Sequence, residues 1–383
     1  MNDHEKNENT AVTPVGNLSP KLESLKRDLS DLSSPPHTRY SETTATIMSR
    51  VLIALLPALV WAIVIFGYRA LTLTLVSVIS CVMFEFLYQK ILRRPVHVGD
   101  LSAVVNGVLI SFVLPVNAPM WAPLISAAFA MIIVKQIFGG MGKNIVNPVA
   151  GAWVFLYLCF GFMRVFHDIN EPALPAFEIT PGFTEVLTPL VFINEGTPPP
   201  SVSMLDMFLG QHSGHLGEIS VLLLLAGGIY LIIRKVITWH IPVSFVGTVA
   251  LAAFLFPIGA NHIEFTINQI LSGGLLFAAF FMATDYATTP INSSGKLIFG
   301  AGCGLITISI RYFGTPLDGV YFAVMIMNMF VWYIDRLTKP LKFGGEKTTT
   351  KAKATAGNVT EMIKPTEIPE TQAIDSGEEE GEE

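Results

Sequence analysis

The sequence predicts an all-α polytopic membrane protein of about ten transmembrane helices with disordered polar tails. Apolar residues make up 51% of the 383 and charged residues only 14%, where a soluble domain carries roughly 25% charged residues. The mean hydropathy is +0.54. The few charges crowd into the two tails, so the stretch from about 47 to 338 is poorer still. A chain of that composition satisfies its backbone in lipid by forming helices.

Residues 1–45 are rich in Ser, Pro, Asn and charge, and read as a polar tail with one short helix near 20–32. No basic stretch, apolar core and small-residue cleavage site follow one another there, so no signal peptide is expected. Residues 46–166 hold five apolar segments, near 47–66, 71–91, 101–117, 121–138 and 148–166. Residues 167–217 form a long connecting loop. Residues 218–340 hold five more segments, near 218–234, 241–258, 263–283, 295–312 and 318–337. Several fall short of the ~20 residues a straight span needs, so tilted or broken helices are expected. Residues 341–383 form a Thr-Lys-Ala and acidic tail, whose Glu378–Glu383 run supplies much of the net charge of −6 and gives no argument for nucleic acid.

Lys and Arg set the orientation. With the N-terminus cytoplasmic, Arg93, Arg94, Lys135, Lys143, Arg234 and Lys235 fall on the same side, and so do the basic residues from Arg336 to Lys342. The alternate loops are almost bare, and the segment from His167 to Glu218 has no Lys or Arg. Both termini are then cytoplasmic. Five helices, a long extracytoplasmic loop and five more suggest an inverted repeat, because an odd number of spans flips the second half. Arg69, Arg164 and Arg311 break the pattern by lying near the outer side.

Gly139-Gly140-Met141-Gly142-Lys143-Asn144-Ile145-Val146-Asn147-Pro148 joins two apolar runs. It reads as a tight inter-helix connection, and its backbone amides and Asn side chains are also free to bind a ligand. Carboxylates inside or at the ends of spans are functional candidates by default. Glu85 lies deepest, with pairing to Lys90 or Gln89 as the competing reading. For Asp285 and Asp318 the competing role is capping. Cys81, Cys159 and Cys303 read as small buried hydrophobes. His212 and His215 are three apart but lack a third metal ligand. Gly300-Ala301-Gly302-Cys303-Gly304 gives a helix face suited to close packing.

Several blocks in order resemble a known family. They are Val51–Ala58, Asp100–Ala103 with Gly107, Phe138–Gly142 with Asn144–Pro148, and Phe280–Asp285 with Thr288-Thr289-Pro290. Gly295–Gly300, Arg311 and Asp318-Gly319-Val320 complete the series. Over about residues 35–340 the chain resembles the RnfD component of the Rnf complex, the ion-translocating ferredoxin:NAD oxidoreductase. It is similar, more distantly, to the NqrB component of the sodium-pumping NADH:quinone oxidoreductase. The resemblance implies a multi-pass subunit of the cell inner (cytoplasmic) membrane that carries electrons through flavin while its complex moves Na⁺ or H⁺. The partners implied are the other subunits of the complex and a flavin transferase.

It also implies FMN joined by a phosphoester to a Thr in the loop after the fifth helix. The matching residue here is Thr188, before Pro189-Leu190. The family's small residues ahead of that Thr are replaced by Glu185, Val186 and Leu187. Arg164 and Arg311 are the candidate phosphate partners. A second, non-covalent flavin, such as riboflavin, is implied nearer the cytoplasmic side, with Asn144, Asn147 and Asp285 as candidate contacts. A quinone-reducing relative, a non-redox channel and a purely structural membrane protein are the alternatives that the residues alone leave open.

Overall fold

A computed structural model describes residues 42–164, 166–167, 174–177, 188–197, 202–218, 220–259, 261–314 and 318–339. The two tails and the residues just before Thr188 lie outside that set. Among the described residues there is no strand, and an isolated bridge joins Pro115 to His215.

The chain is all-helical, as its composition dictates. Helix α1 (Thr44–Phe66) and helix α2 (Tyr68–Ile91) come first, then α3 (Ser102–Phe112). Next is α4 (Ala122–Ala128), which continues as a π-helical turn over Phe129–Gln136, and then α5 (Pro148–Cys159). The intervening region carries a 3₁₀ turn (Gly161–Arg164), α6 (Pro189–Asn194) and α7 (Met204–Leu209). The second group is α8 (Val221–Ile233), α9 (His240–Leu255), α10 (His262–Leu271), α11 (Leu275–Phe277) with a π-helical extension over Ala278–Met282, α12 (Ser293–Phe313) and α13 (Val320–Leu337).

Each expected apolar segment corresponds to one of these helices. By length and composition α1, α2, α12 and α13 can cross a membrane alone, and α10 with α11 forms a pair bent by 61°. The remaining apolar helices are shorter. Helix α3, at 11 residues, reaches only ~16 Å, about half of a ~30 Å hydrocarbon core. Exposed Ile53, Leu56, Val60 and Val64 on α1, and Leu251, Phe254 and Leu255 on α9, are the apolar surface a multi-pass protein offers to lipid.

Close packing follows from small residues. A Cβ on Gly107 of α3 would lie 2.5 Å from the Val78 Cα of α2, and one on Gly227 of α8 would lie 2.5 Å from the Ala54 carbonyl of α1. The expected small-residue face of α12 is used on two sides. Gly300 and Gly304 admit the α9 backbone, and Gly302 faces Met327 of α13.

Both five-helix groups contain a broken element with a cation bound at the break. In the first, Lys135 Nζ reaches Ser102 Oγ (2.7 Å) at the start of α3. In the second, Arg311 reaches the Ser272 carbonyl (3.3 Å) just before α11.

Three expectations need correction. Glu85 forms its ion pair not with Lys90 but with Lys135 of the neighbouring element (2.8 Å) and accepts from Gln136 (2.9 Å), while the expected Gln89 contact is present (3.3 Å). Lys90 points away and lies over the Phe86 ring, because a buried carboxylate takes the buried cation. Cys159 is exposed at the end of α5, whereas Cys81 and Cys303 are buried. Asp318 does not cap its own helix. Gly319 holds that position without a side-chain bond, and Asp318 is drawn instead to Arg311.

Candidate functional site

The first candidate site begins at the end of α3. A helix leaves its last carbonyls unpaired, and here an incoming loop satisfies them. Leu216 N donates to the Leu114 carbonyl (3.1 Å) and Gly217 N to that of Phe112 (2.8 Å). A Cβ on Gly217 would meet Phe112 Cβ at 2.5 Å, so only glycine permits the approach. This docking carries His215 and Glu218 into the protein interior, with His215 4% and Glu218 3% exposed.

Two further breaks meet the same place. The chain enters α11 through Ser272-Gly273-Gly274, where Gly273 has φ +71, a left-handed conformation that glycine adopts freely. Gly274 N donates to Asp318 Oδ2 (2.6 Å), and Asp318 Oδ1 accepts from Arg311 Nη2 (2.5 Å). Tyr321 at the start of α13 donates its hydroxyl to Glu218 Oε1 (3.0 Å). Trp153 of α5 packs on Tyr321 and stacks on Tyr157.

Together these elements line a cavity of about 110 Å³ that opens to the surface. Its wall includes Thr188, Arg164, Trp153, Tyr157, His215 and Glu218. Thr188 precedes α6, and its hydroxyl makes no cap hydrogen bond. Arg164 is exposed and lies over the Tyr157 ring at 4.8 Å, with no carboxylate partner among the described residues. Thr188 and Arg164, remote in sequence, therefore face one space.

Arg311 stands apart from them. It is 3% exposed and is not among the lining residues. Its Nε donates to the Asp318 carbonyl, Nη1 to the Gln269 backbone and side-chain oxygens, and Nη2 to Ser272 O and Asp318 Oδ1. All five N–H groups of a guanidinium are thus taken by protein acceptors, and Arg311 shapes the wall by holding Asp318. Arg69 is similar: buried, it donates to the carbonyls of Val116 (2.8 Å), Ala118 (2.8 Å) and Pro175 (2.9 Å). These two breaks in the cation pattern have a structural cause.

The second cavity, of about 90 Å³, brings together Asn144, Asn147 and Asp285 with Ser102, Asn106 and Phe281. Asn147 caps α5 by accepting from Val149 N (2.9 Å) and Ala150 N (3.2 Å), and it donates to the Met282 carbonyl (3.1 Å) at the end of the second π-helical turn. It thereby ties the Gly-Asn-Pro block to the Asp285 turn. Asp285 sits in that turn, accepting from Thr288 Oγ1 through its carboxylate (3.3 Å) and from Thr289 Oγ1 through its carbonyl (2.8 Å). Burial pushes its carboxyl above the usual range, against the Ala287 N–H, Thr288, Lys135 and Asn144, which favour the charged form.

Sequence reading did not single out Glu218, Tyr321 or Trp153, and weighed His215 only as a metal ligand. The available signal was the His215-x-x-Glu218 spacing at the head of an apolar run in a loop free of cations.

The sequence profile of the NQR2, RnfD, RnfE family matches residues 31–344. The D-type subunit of the Na⁺-translocating ferredoxin:NAD⁺ oxidoreductase complex of Acetobacterium woodii is 42% identical over 325 residues, spanning 84% of this chain and 98% of the relative. Its counterpart in the proton-translocating ferredoxin:NAD⁺ oxidoreductase complex of Clostridium ljungdahlii is 34% identical, over 84% and 98%. The counterpart in the ion-translocating oxidoreductase complex of Halorhodospira halophila is 33% identical, over 82% and 96%.

Proposed function

The chain belongs to the NQR2, RnfD, RnfE family, and on that premise we propose that it is the membrane subunit of a Na⁺- or H⁺-translocating ferredoxin:NAD oxidoreductase complex of the Rnf type. Its partners are the other subunits of that complex. It lies in the cell inner membrane with both termini cytoplasmic, the side that its basic loops select.

Its electron carrier is flavin, with FMN esterified to Thr188. The observation that carries this reading is that Thr188 and Arg164 line one aromatic-walled cavity. The donor set fits the group. The Thr188 hydroxyl is available for a flavin transferase, and Arg164 offers a guanidinium without a carboxylate partner among the described residues. Esterification leaves the phosphate with a single negative charge, which one cation matches. Trp153 and Tyr157 supply flat apolar surface for a ring system. Bound flavin would supply reversible electron transfer; the protein supplies position and a partly dry, polarised site.

The cavity of Asn144, Asn147 and Asp285 suits a flavin without phosphate, such as riboflavin. Its carboxylate would repel a phosphate, and Lys135 at its wall is committed to Glu85 and Ser102. Asn and Asp side chains offer hydrogen bonds to sugar-alcohol hydroxyls instead.

The test is ultraviolet in-gel fluorescence of the denatured chain, expressed with its flavin transferase, beside Thr188→Ala. A band in the wild type that the variant loses supports the assignment. A dark wild-type band refutes covalent flavin at Thr188.

A further inference from the structure

We propose that His215 exchanges a proton with the flavin ring in the Thr188 cavity, and that Glu218 and Tyr321 are its positioning residues. The inference rests on the reading of that cavity as the covalent flavin site.

His215 lines the cavity and is almost wholly buried. Its Nδ1 lies at ion-pair distance from Glu218 Oε1 (2.8 Å) without forming a hydrogen bond, and its Nε2 is likewise buried with no hydrogen-bond partner among the described residues. A buried polar atom left unpaired is costly, and native proteins rarely keep one without a reason. Here the ring borders the Thr188 cavity, and a carboxylate lies at ion-pair distance from its other nitrogen. That is the arrangement by which proteins set the tautomer and aim of a working imidazole. The aim is locked, because the loop is bonded to the end of α3 and the ring packs edge-on against Trp153 and Phe166.

The surroundings favour a proton carrier. Glu218 accepts from Tyr321 Oη (3.0 Å) and from the His215 backbone N–H (3.4 Å). The other titratable groups bordering the cavity are Arg164 and Tyr157, which face each other, and Asp318, neutralised by Arg311. His212 is buried nearby, with Nδ1 against the Ser213 carbonyl. Glu218 is thus the one carboxylate in contact with His215 among the described residues, and a protonated ring would form an ion pair with it.

In the balanced step, one electron would reach the bound flavin from a neighbouring protein of the complex or a titrating mediator. His215 would give up the proton on Nε2: that N–H bond would break, an N–H bond would form on the ring, and the neutral imidazole would keep its proton on Nδ1, beside Glu218. The added negative charge then rests on Glu218, where Tyr321 and a backbone N–H hold it. Reoxidation returns the proton to Nε2.

The experiment is a redox titration of the flavin at several pH values, on the full chain purified in detergent after expression with the flavin transferase. Covalent flavin is checked in each sample by gel fluorescence. In the wild type the midpoint potential falls as pH rises, because reduction carries a proton onto the ring. His215→Gln keeps the fluorescent band and loses that dependence. Glu218→Gln keeps the band and moves the pH-dependent region lower, since imidazolium loses its counter-charge. Tyr321→Phe moves it in the opposite direction by a smaller amount, because a carboxylate that loses a hydrogen-bond donor holds imidazolium more tightly.

A His215→Gln chain with normal flavin and a wild-type pH profile overturns the proposal. If that variant does not accumulate, Glu218→Gln decides: a displaced profile supports the proposal and an unmoved one overturns it. A fluorescent wild type with a pH-independent potential overturns proton exchange while leaving flavin at Thr188 intact. A dark wild-type band overturns the Thr188 reading and this inference with it.

Discussion

Lys135→Met should destabilise the protein more than any surface change, and the structure supplies the magnitude. Glu85 and Lys135 have side chains 2% and 3% exposed, with 2.8 Å between Nζ and Oε1. Removing one partner of a buried ion pair leaves the other charge uncompensated and costs about 3–5 kcal/mol. Glu85 Oε1 would still accept from Gln136 and Gln89, which places the loss at the low end, near ~3 kcal/mol. That is about two powers of ten in the unfolding constant. Loss of the Lys135–Ser102 bond is included in that figure.

The cause can be isolated with a double-mutant cycle. Glu85→Gln removes the charge but keeps an oxygen for the two glutamine donors. The pair Glu85→Gln with Lys135→Met should therefore recover roughly half of the single-variant loss. The assay is denaturant unfolding in mixed micelles followed by circular dichroism. A loss below about 1 kcal/mol for Lys135→Met, the range of an exposed pair, would refute the reasoning. So would a coupling energy near zero.

Other predictions follow from single contacts. Gly107→Ala brings a Cβ to within 2.5 Å of the Val78 backbone and should cost about 1–3 kcal/mol through overpacking of α3 on α2, read in the same unfolding assay. Arg69→Ala strips donors from three carbonyls; it should speed limited proteolysis around residues 116–118 and 175, and an unchanged cleavage pattern would count against that anchor. Arg164→Ala should reduce covalent flavin on gels at near-normal stability, whereas Arg311→Lys should lower stability, because Lys cannot reproduce a five-donor fork. Asp285→Asn removes a carboxyl whose folded pKa is raised. Such a group favours the fold at low pH and loses that contribution as pH rises through its folded pKa. The variant should thus gain thermal stability over wild type at neutral pH, and the gain should vanish near pH 4.

Composition, charge pattern and motif order determined much of this protein before any coordinates. The apolar runs placed the helices of both groups, because a backbone in lipid has no alternative to internal hydrogen bonding. The short run at 101–117 announced a helix too short for a straight span, and α3 is that helix, whereas the bent α10–α11 pair lies in a run of full length that gave no such sign. The Gly300–Gly304 run marked a packing face, because glycine spacing on a helix is local information. The resemblance to the family rested on blocks that lie in order along the chain, and the relatives' identity extends over that same length.

What the sequence did not decide was partnership across distance. Glu85 has Lys90 nearby in the chain yet bonds Lys135, since a buried charge takes the partner that is buried with it. Three arginines broke one charge rule, and only the tertiary structure separates Arg69 and Arg311, saturated by carbonyls and Asp318, from Arg164 at a cavity wall. His215, Glu218 and Tyr321 meet because a loop caps the open end of α3 next to the start of α13. Helix ends must find hydrogen bonds somewhere, but which loop supplies them is settled by packing of segments over a hundred residues apart, and no local pattern records it.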